Sequence, residues 1–224
     1  MSVEHGWSGS TARALEVDSA QPVTPSLVQA VHRLCDEAAD AVLVLRLGGA
    51  DEPSGRADLA IDVVGKWEQA LRRLERVASA TIAVVDGRCA GPALEVLLAC
   101  DYRIGTPGSR LMLPLAAGEP WPGMVVYRLA NQLGVATARQ LVLFGAEITG
   151  RHAARLNLLD EVTDDPDGAL AAQVELAGGV AGTELAIRRR LLLEAQGISF
   201  EDALGTHLAA CDRVLRRTAA GVTP

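Results

Sequence analysis

The stretch SATIAVVDGRCAGPALEVLLACD, residues 79–101, decides how this chain reads. Its first apolar run, Thr81 to Val85, is short, rich in β-branched residues and closed by Asp86-Gly87, the pattern of a buried strand. A turn of small residues follows, Arg88-Cys89-Ala90-Gly91-Pro92. The second apolar run, Ala93 to Cys100, carries one carboxylate, Glu95. With Pro92 early and Asp101 at its end, it reads as a short buried helix starting near Gly91. A strand that feeds a helix through such a turn leaves backbone N–H groups at the helix start, a place suited to a developing negative charge.

Upstream of this unit, Leu15 to Asp18 reads as a short strand. Thr24 and Pro25 open a helix as N-cap and first residue, with Leu27, Val28, Val31, Leu34, Cys35 and Ala38 on its apolar face. Ala41 to Leu47 is an almost unbroken apolar strand, as expected for a sheet covered on both faces. A polar loop rich in Gly, Pro and Asp spans Gly48 to Ala57. A long helix is expected from about Asp58 to Val77, with Leu59, Val63, Trp67, Leu71 and Leu74 on one face.

Downstream, two short strands are expected at Tyr102 to Gly105 and Arg110 to Leu113, then a loop from Leu115 to Trp121. Helices follow near Gly123–Leu133, Thr137–Phe144 and Thr149–Leu156, with Thr149 as N-cap. Strands alternating with helices imply parallel packing. The break Asp164-Asp165-Pro166-Asp167-Gly168 divides a core, residues 1–163, from a helical region, residues 164–224, with helices at Ala169–Leu176, Thr183–Ala195 and Ser199 to about Arg217.

Composition narrows the classes. At 224 residues, 49% hydrophobic and 22% charged, the chain has the make-up of a globular domain with a real core. A net charge of −7 argues against nucleic acid as a partner. No apolar run approaches the ~18 residues of a membrane span, and no secretory leader is visible at Met1 to Gly6. The four cysteines are scattered, the usage of a reduced, cytoplasmic protein. His5, His32, His152 and His207 form no ligand spacing, so no metal is expected. No nucleophile elbow and no nucleotide-binding glycine fingerprint is present.

Asp86-Gly87-Arg88-Cys89-Ala90-Gly91-Pro92-Ala93-Leu94-Glu95, followed by Ala99-Cys100-Asp101, resembles the crotonase (enoyl-CoA hydratase/isomerase) superfamily pattern NGxAxGGGxExxxxCD. Gly150 to Val162 is similar to the family's later helix and strand. The resemblance implies an α/β fold with a crotonase-like ββα spiral core. It also implies that the C-terminal helical region packs on that core and builds a homotrimer or hexamer. Its apolar positions Leu185, Ile187, Leu191, Leu192, Leu204, Leu208 and Val214 fit a self-contained helical cap equally well.

The family chemistry holds an acyl-CoA thioester carbonyl between two backbone N–H donors that stabilise an enolate-like oxyanion. Losing one such donor costs ~3 kcal/mol of transition-state stabilisation. The resemblance of Gly55-Arg56-Ala57-Asp58-Leu59 to the family loop implies Ala57 as the first donor; the plainer role is a residue at a helix start. The second donor falls on Pro92, which has no N–H. That departure leaves Gly91 and Ala93 as the neighbouring members of the hole: either the Ala93 N–H substitutes as donor through a shifted turn, or the hole has one arm. Proline is also simply favoured at this helical position.

Glu95 matches one catalytic carboxylate of hydratases. Its apolar surroundings favour the neutral form and suit a proton carrier; the alternative is a first-turn glutamate interacting with the helix dipole. The second hydratase carboxylate is replaced by Leu115, after Pro114. Glu119 lies four residues on, either as a replacement or as a solvated loop residue. Asp101 is expected to be structural. Trp121, with Leu115, is placed to wall an acyl pocket or to fill the core.

No separate cofactor is implied, because coenzyme A enters as part of the substrate. Lys66 is the sole lysine, so phosphates would be met by arginines or backbone N–H groups. The short length, Pro92 and Leu115 are most similar to the small crotonase-like dehydratase helpers of 3,5-dihydroxyphenylglycine biosynthesis in antibiotic pathways. Such a helper assists a type III polyketide synthase in forming dihydroxyphenylacetyl-CoA, which implies that synthase or a second crotonase-like protein as partner. A non-catalytic scaffold that stimulates a partner synthase, and a double-bond isomerase, are the competing readings.

Overall fold

The computed structural model describes residues 6–7, 10–38, 41–49, 59–113, 115–116, 119–120, 123–178 and 182–219. A two-residue strand β1 (Gly6–Trp7) pairs antiparallel with β2 (Ser10–Asp18). Helix α1 (Pro25–Asp36) begins as its sequence dictates: the Thr24 side chain accepts the Leu27 N–H, and Leu27, Val28, Val31, Leu34 and Cys35 are buried. Strand β3 (Ala41–Gly49), helix α2 (Ile61–Leu74), strand β4 (Thr81–Cys89) and helix α3 (Gly91–Ala99) follow. Then come β5 (Tyr102–Gly105), β6 (Arg110–Leu111), β7 (Leu115–Ala116), β8 (Glu119–Pro120) and α4 (Val125–Phe144). The chain continues through β9 (Ile148–Thr149), α5 (Gly150–Arg155), β10 (Glu161–Val162), α6 (Pro166–Gly178), α7 (Thr183–Glu194) and α8 (Phe200–Ala219).

Strands β2, β3, β4, β5 and β10 lie side by side and all pair in parallel. Alternation along the central strands sorts the core into two layers. Leu43, Leu45, Leu47, Ala83 and Val85 face α1, α2 and α3, while Val42, Val44, Ile82 and Val84 meet Leu170, Val174 and Ala177 of α6. That two-sided burial is why these strands read as continuous apolar runs. Each fully buried Leu or Val contributes roughly 1.5–3 kcal/mol.

Several boundaries differ from the sequence reading, each for a tertiary reason. Strand β2 starts at Ser10, not Leu15, because Ser10 pairs with Trp7 of β1 and Thr11 to Ala14 pair residue by residue with β3. The expected Arg88–Pro92 turn is shorter, since Arg88 and Cys89 remain in β4 and pair with β6. The loop expected from Leu115 holds the β7–β8 antiparallel pair. The two helices expected between 123 and 144 are both present, as the two limbs of α4 on either side of a kink at Gly134, where φ is +75°. Just beyond the Asp164–Gly168 break, α6 packs Leu170, Val174 and Ala177 on the sheet. Helices α7 and α8 are the ones with Leu192, Phe200, Leu208 and Leu215 exposed.

Candidate active site

Helix α3 is buried along its whole length, and its two ends are fixed by different means. At its start, Gly91 has φ +51°, a left-handed conformation that glycine adopts without steric cost. Ser19, 3% exposed, fastens this corner. Its hydroxyl donates to the Arg88 carbonyl at 2.5 Å and accepts the Ala90 N–H at 3.1 Å.

The helical ladder begins at once: the Ala93 N–H donates to the Ala90 carbonyl at 3.1 Å and the Leu94 N–H to the same oxygen at 3.4 Å. The Ala93 amide, one of the two alternatives for the second arm of an oxyanion hole, is thus engaged in the helix. Only the first amides of a helix lack a carbonyl partner, and Ala93 already has one. The Gly91 amide makes no hydrogen bond within the described residues. Ala57 and Trp121 lie outside the described residues. Of Leu115 and Glu119 only the backbone falls within them, paired with Pro120 and Ala116 respectively.

Glu95 is fully buried and lies beyond the first turn of α3. Its Oε2 accepts the Trp67 indole N–H at 2.7 Å, from α2. Gly123, with φ +137°, lies directly against it: a Cβ built there would stand 2.3 Å from Glu95 Oε1 and 3.0 Å from Glu68 Oε1. The segment Trp121-Pro122-Gly123, expected beside the acyl pocket, thus reaches the carboxylate at its last residue.

Glu68 is the residue the sequence reading missed. Its Oε1 accepts the Met124 N–H at 2.7 Å and its Oε2 the Arg128 Nη1–H at 2.8 Å. Arg128, 7% exposed, also donates through Nε to Glu75 Oε1 at 2.7 Å. Arg72 closes the chain on Glu75 Oε2 at 3.0 Å. Burial alone would lower the Arg128 pKa, but Glu75 and Glu68 outweigh it and the value is raised. The available signal was the seven-residue spacing of Glu68 and Glu75, which puts both on one stripe of α2 beside Trp67. Their partner, Arg128, is 60 and 53 residues away.

At the other end of α3, Asp101 is structural, as expected. It accepts the Thr81 N–H and hydroxyl, each at 2.9 Å. Arg189 of α7 grips both its oxygens and also donates to the Val77 and Ser79 carbonyls. Arg103 donates to the Leu98 and Cys100 carbonyls at 3.3 Å, which places a cation at the negative end of the helix. Of the arginines near the expected coenzyme loops, Arg46 pairs with Asp167 at 2.7 Å, and Arg88 Nη2 lies 2.8 Å from Met112 Sδ. Arg56 lies outside the described residues.

The family model for enoyl-CoA hydratase/isomerase matches residues 56–219 of this chain. The chain belongs to the enoyl-CoA hydratase/isomerase family. An enoyl-CoA-hydratase of Amycolatopsis orientalis is 47% identical over 209 residues, 92% of this chain and 96% of that protein. A mitochondrial Delta(3,5)-Delta(2,4)-dienoyl-CoA isomerase of Dictyostelium discoideum is 26% identical over 120 residues, 53% of this chain and 41% of that protein. Among solved structures, an enoyl-CoA hydratase/isomerase from Cupriavidus metallidurans CH34 superposes with a TM-score of 0.80 at 17% identity. That superposition covers 96% of this chain and 88% of the other and shows the shared fold. As an enoyl-CoA hydratase/isomerase family member, the chain keeps the motif glutamate in a built environment and departs from the motif at Pro92 and Leu115.

Proposed function

We propose that this family member is an acyl-CoA dehydratase/hydratase whose acid/base group is Glu95. The observation that carries the reading is the buried Glu95 carboxylate, oriented by the Trp67 indole and closed over by Gly123. A carboxyl group withdrawn from water and aimed by a fixed donor is a good proton carrier. In dehydration of a 3-hydroxyacyl thioester, Glu95 takes the α-proton and returns it to the departing hydroxyl on the same face. Water leaves, a carbon–carbon double bond forms, and Glu95 ends as it began. The transient oxyanion would be met by the Gly91 amide and, from the family pattern, by Ala57. Glu119 is a second candidate carboxylate on sequence grounds, with Leu115 and Trp121 as candidate pocket residues.

At the finer level, the resemblance supports a helper role beside a type III polyketide synthase in dihydroxyphenylacetyl-CoA formation for antibiotic biosynthesis. Exposed Leu204, Leu208, Val214 and Leu215 on α8 fit self-association as a trimer or hexamer. Incubation of the protein with hydroxyacyl- and enoyl-CoA thioesters, with and without the synthase, tests the assignment by an 18-dalton-scale mass change, roughly one water per turnover. Glu95→Gln should lower turnover by about 10²–10⁴-fold; unchanged turnover ends the reading.

A second reading has its own observation. Pro92 offers no N–H and the Ala93 N–H is already bonded, which favours a crotonase-fold scaffold that binds and stimulates a partner synthase. Full stimulation of the synthase by the Glu95→Gln protein would select this reading over the enzyme.

A further inference from the structure

We propose that a cavity between the C-terminal end of α2 and helix α7 binds a small organic monoanion, a carboxylate with a compact apolar body. The cavity has a volume of ≈ 490 Å³, within the range of small-molecule sites in proteins. Neither Trp67 nor Glu95 lines it. Binding there is independent of the role of Glu95.

Charge is the first observation. Four arginines line the cavity, Arg72, Arg76, Arg189 and Arg190, against two glutamates, Glu75 and Glu194. The chain as a whole has the opposite balance, with a net charge of −7. Glu75 accepts from Arg72 at 3.0 Å and from Arg128 at 2.7 Å. Glu194 accepts from Arg190 at 2.9 Å, and Arg189 is held by Asp101. That leaves Arg76, an exposed residue whose side chain makes no hydrogen bond or ion pair among the described residues. Its neighbours keep donors in reserve, since Arg72 bonds through Nη1 and Arg190 through Nε, out of the five N–H of each guanidinium. A cation without a counter-ion, beside two others with free donors, is suited to the paired oxygens of a carboxylate. Glu75 and Glu194 set the limit to one negative charge, because a second would meet them as like charges.

The apolar wall is the second observation. Ala186, Ile187 and Leu193 of α7 line the same space, and Leu193 is still 44% exposed. An inorganic anion would leave this wall in water, whereas a short aliphatic or aromatic body removes it from water.

The test is an amide NMR titration of the intact protein at low salt with hexanoate. Acetate, which lacks the body, and hexanamide, which lacks the charge, are the controls. Hexanoate should saturate with a Kd of about 1 mM or tighter and shift the amides of α7. Acetate and hexanamide should each bind at least ~10-fold more weakly. Arg76→Gln should weaken hexanoate by about 10–100-fold without disturbing the rest of the spectrum, because the side chain it removes has no partner to lose. Leu193→Ser should weaken hexanoate severalfold and leave acetate unchanged. No saturation by ~10 mM hexanoate overturns the proposal, and so does binding that Arg76→Gln leaves intact. Equal binding of hexanamide defeats the anion assignment. If no probe binds and Arg76→Gln instead changes the sedimentation of the protein, a second copy fills the cavity and the proposal falls.

Discussion

The two ends of α3 each hold a buried arginine and carboxylates, and they are built to opposite specifications. At the C-terminal end, Arg189 meets one carboxylate, Asp101, and spends its remaining donors on the Val77 and Ser79 carbonyls. The arrangement ties β4, α3 and α7 together with each strong donor opposite an acceptor. Toward the N-terminal end, Glu68 and Glu75 share Arg128, Arg72 joins Glu75, and Glu95 lies across Gly123 from Glu68. The second arrangement shares one cation, Arg128, between two carboxylates.

Removing each arginine separates the two designs. Arg128→Met would leave Glu68 and Glu75 in a buried network without their shared cation, a loss of about 3–5 kcal/mol. Urea midpoints should register it as a large drop, with turnover lost as well. Arg189→Met should cost less, roughly 2–3 kcal/mol, because the Asp101 side chain is 32% exposed and water can take up part of the loss. Its turnover per folded molecule should stay within about twofold, since Arg189 touches nothing at Glu95. An Arg189 variant that unfolds the protein more than its Arg128 counterpart, or that abolishes turnover, would erase the distinction between the two ends.

The smallest expected effect concerns the thiols around the same core. Burial pushes the Cys35 thiol up to about 11 and the Cys100 thiol up to about 12, and raises that of Cys89 further. The folded protein keeps protons that the unfolded chain releases above its ordinary thiol value of ~8.5. Stability contributed by these groups is therefore whole below that pH and is lost as pH rises toward 11. Urea midpoints should fall between pH 8 and pH 10, and Cys35→Ala should flatten the fall. At neutral pH only exposed Cys211, of the four cysteines, should react quickly with a thiol reagent.

Much of the scaffold was legible because it is encoded locally. Thr24-Pro25 sets the start of α1, and the apolar residues at helical spacing are the ones it buries. The strand–turn–helix of residues 79–101 lies where its pattern places it, and Thr149 caps α5 by accepting the His152 N–H. Strand β2 was read too short because Thr11 to Arg13 become strand only through pairing with β3. Asp101 was legible as structural, but its partner Arg189, 88 residues on, was not.

By itself the sequence determined the parallel α/β core, the family and the place of Glu95, since periodicity, turn chemistry and a contiguous motif act over a few residues. Only the tertiary structure decided that Trp67 aims Glu95 and that Glu68 and Arg128 stand behind it. Those facts depend on which side chains meet after helices 28 to 60 residues apart pack together. Local pattern carries no record of such meetings, because one stripe of a helix specifies that it will be buried without specifying what will face it.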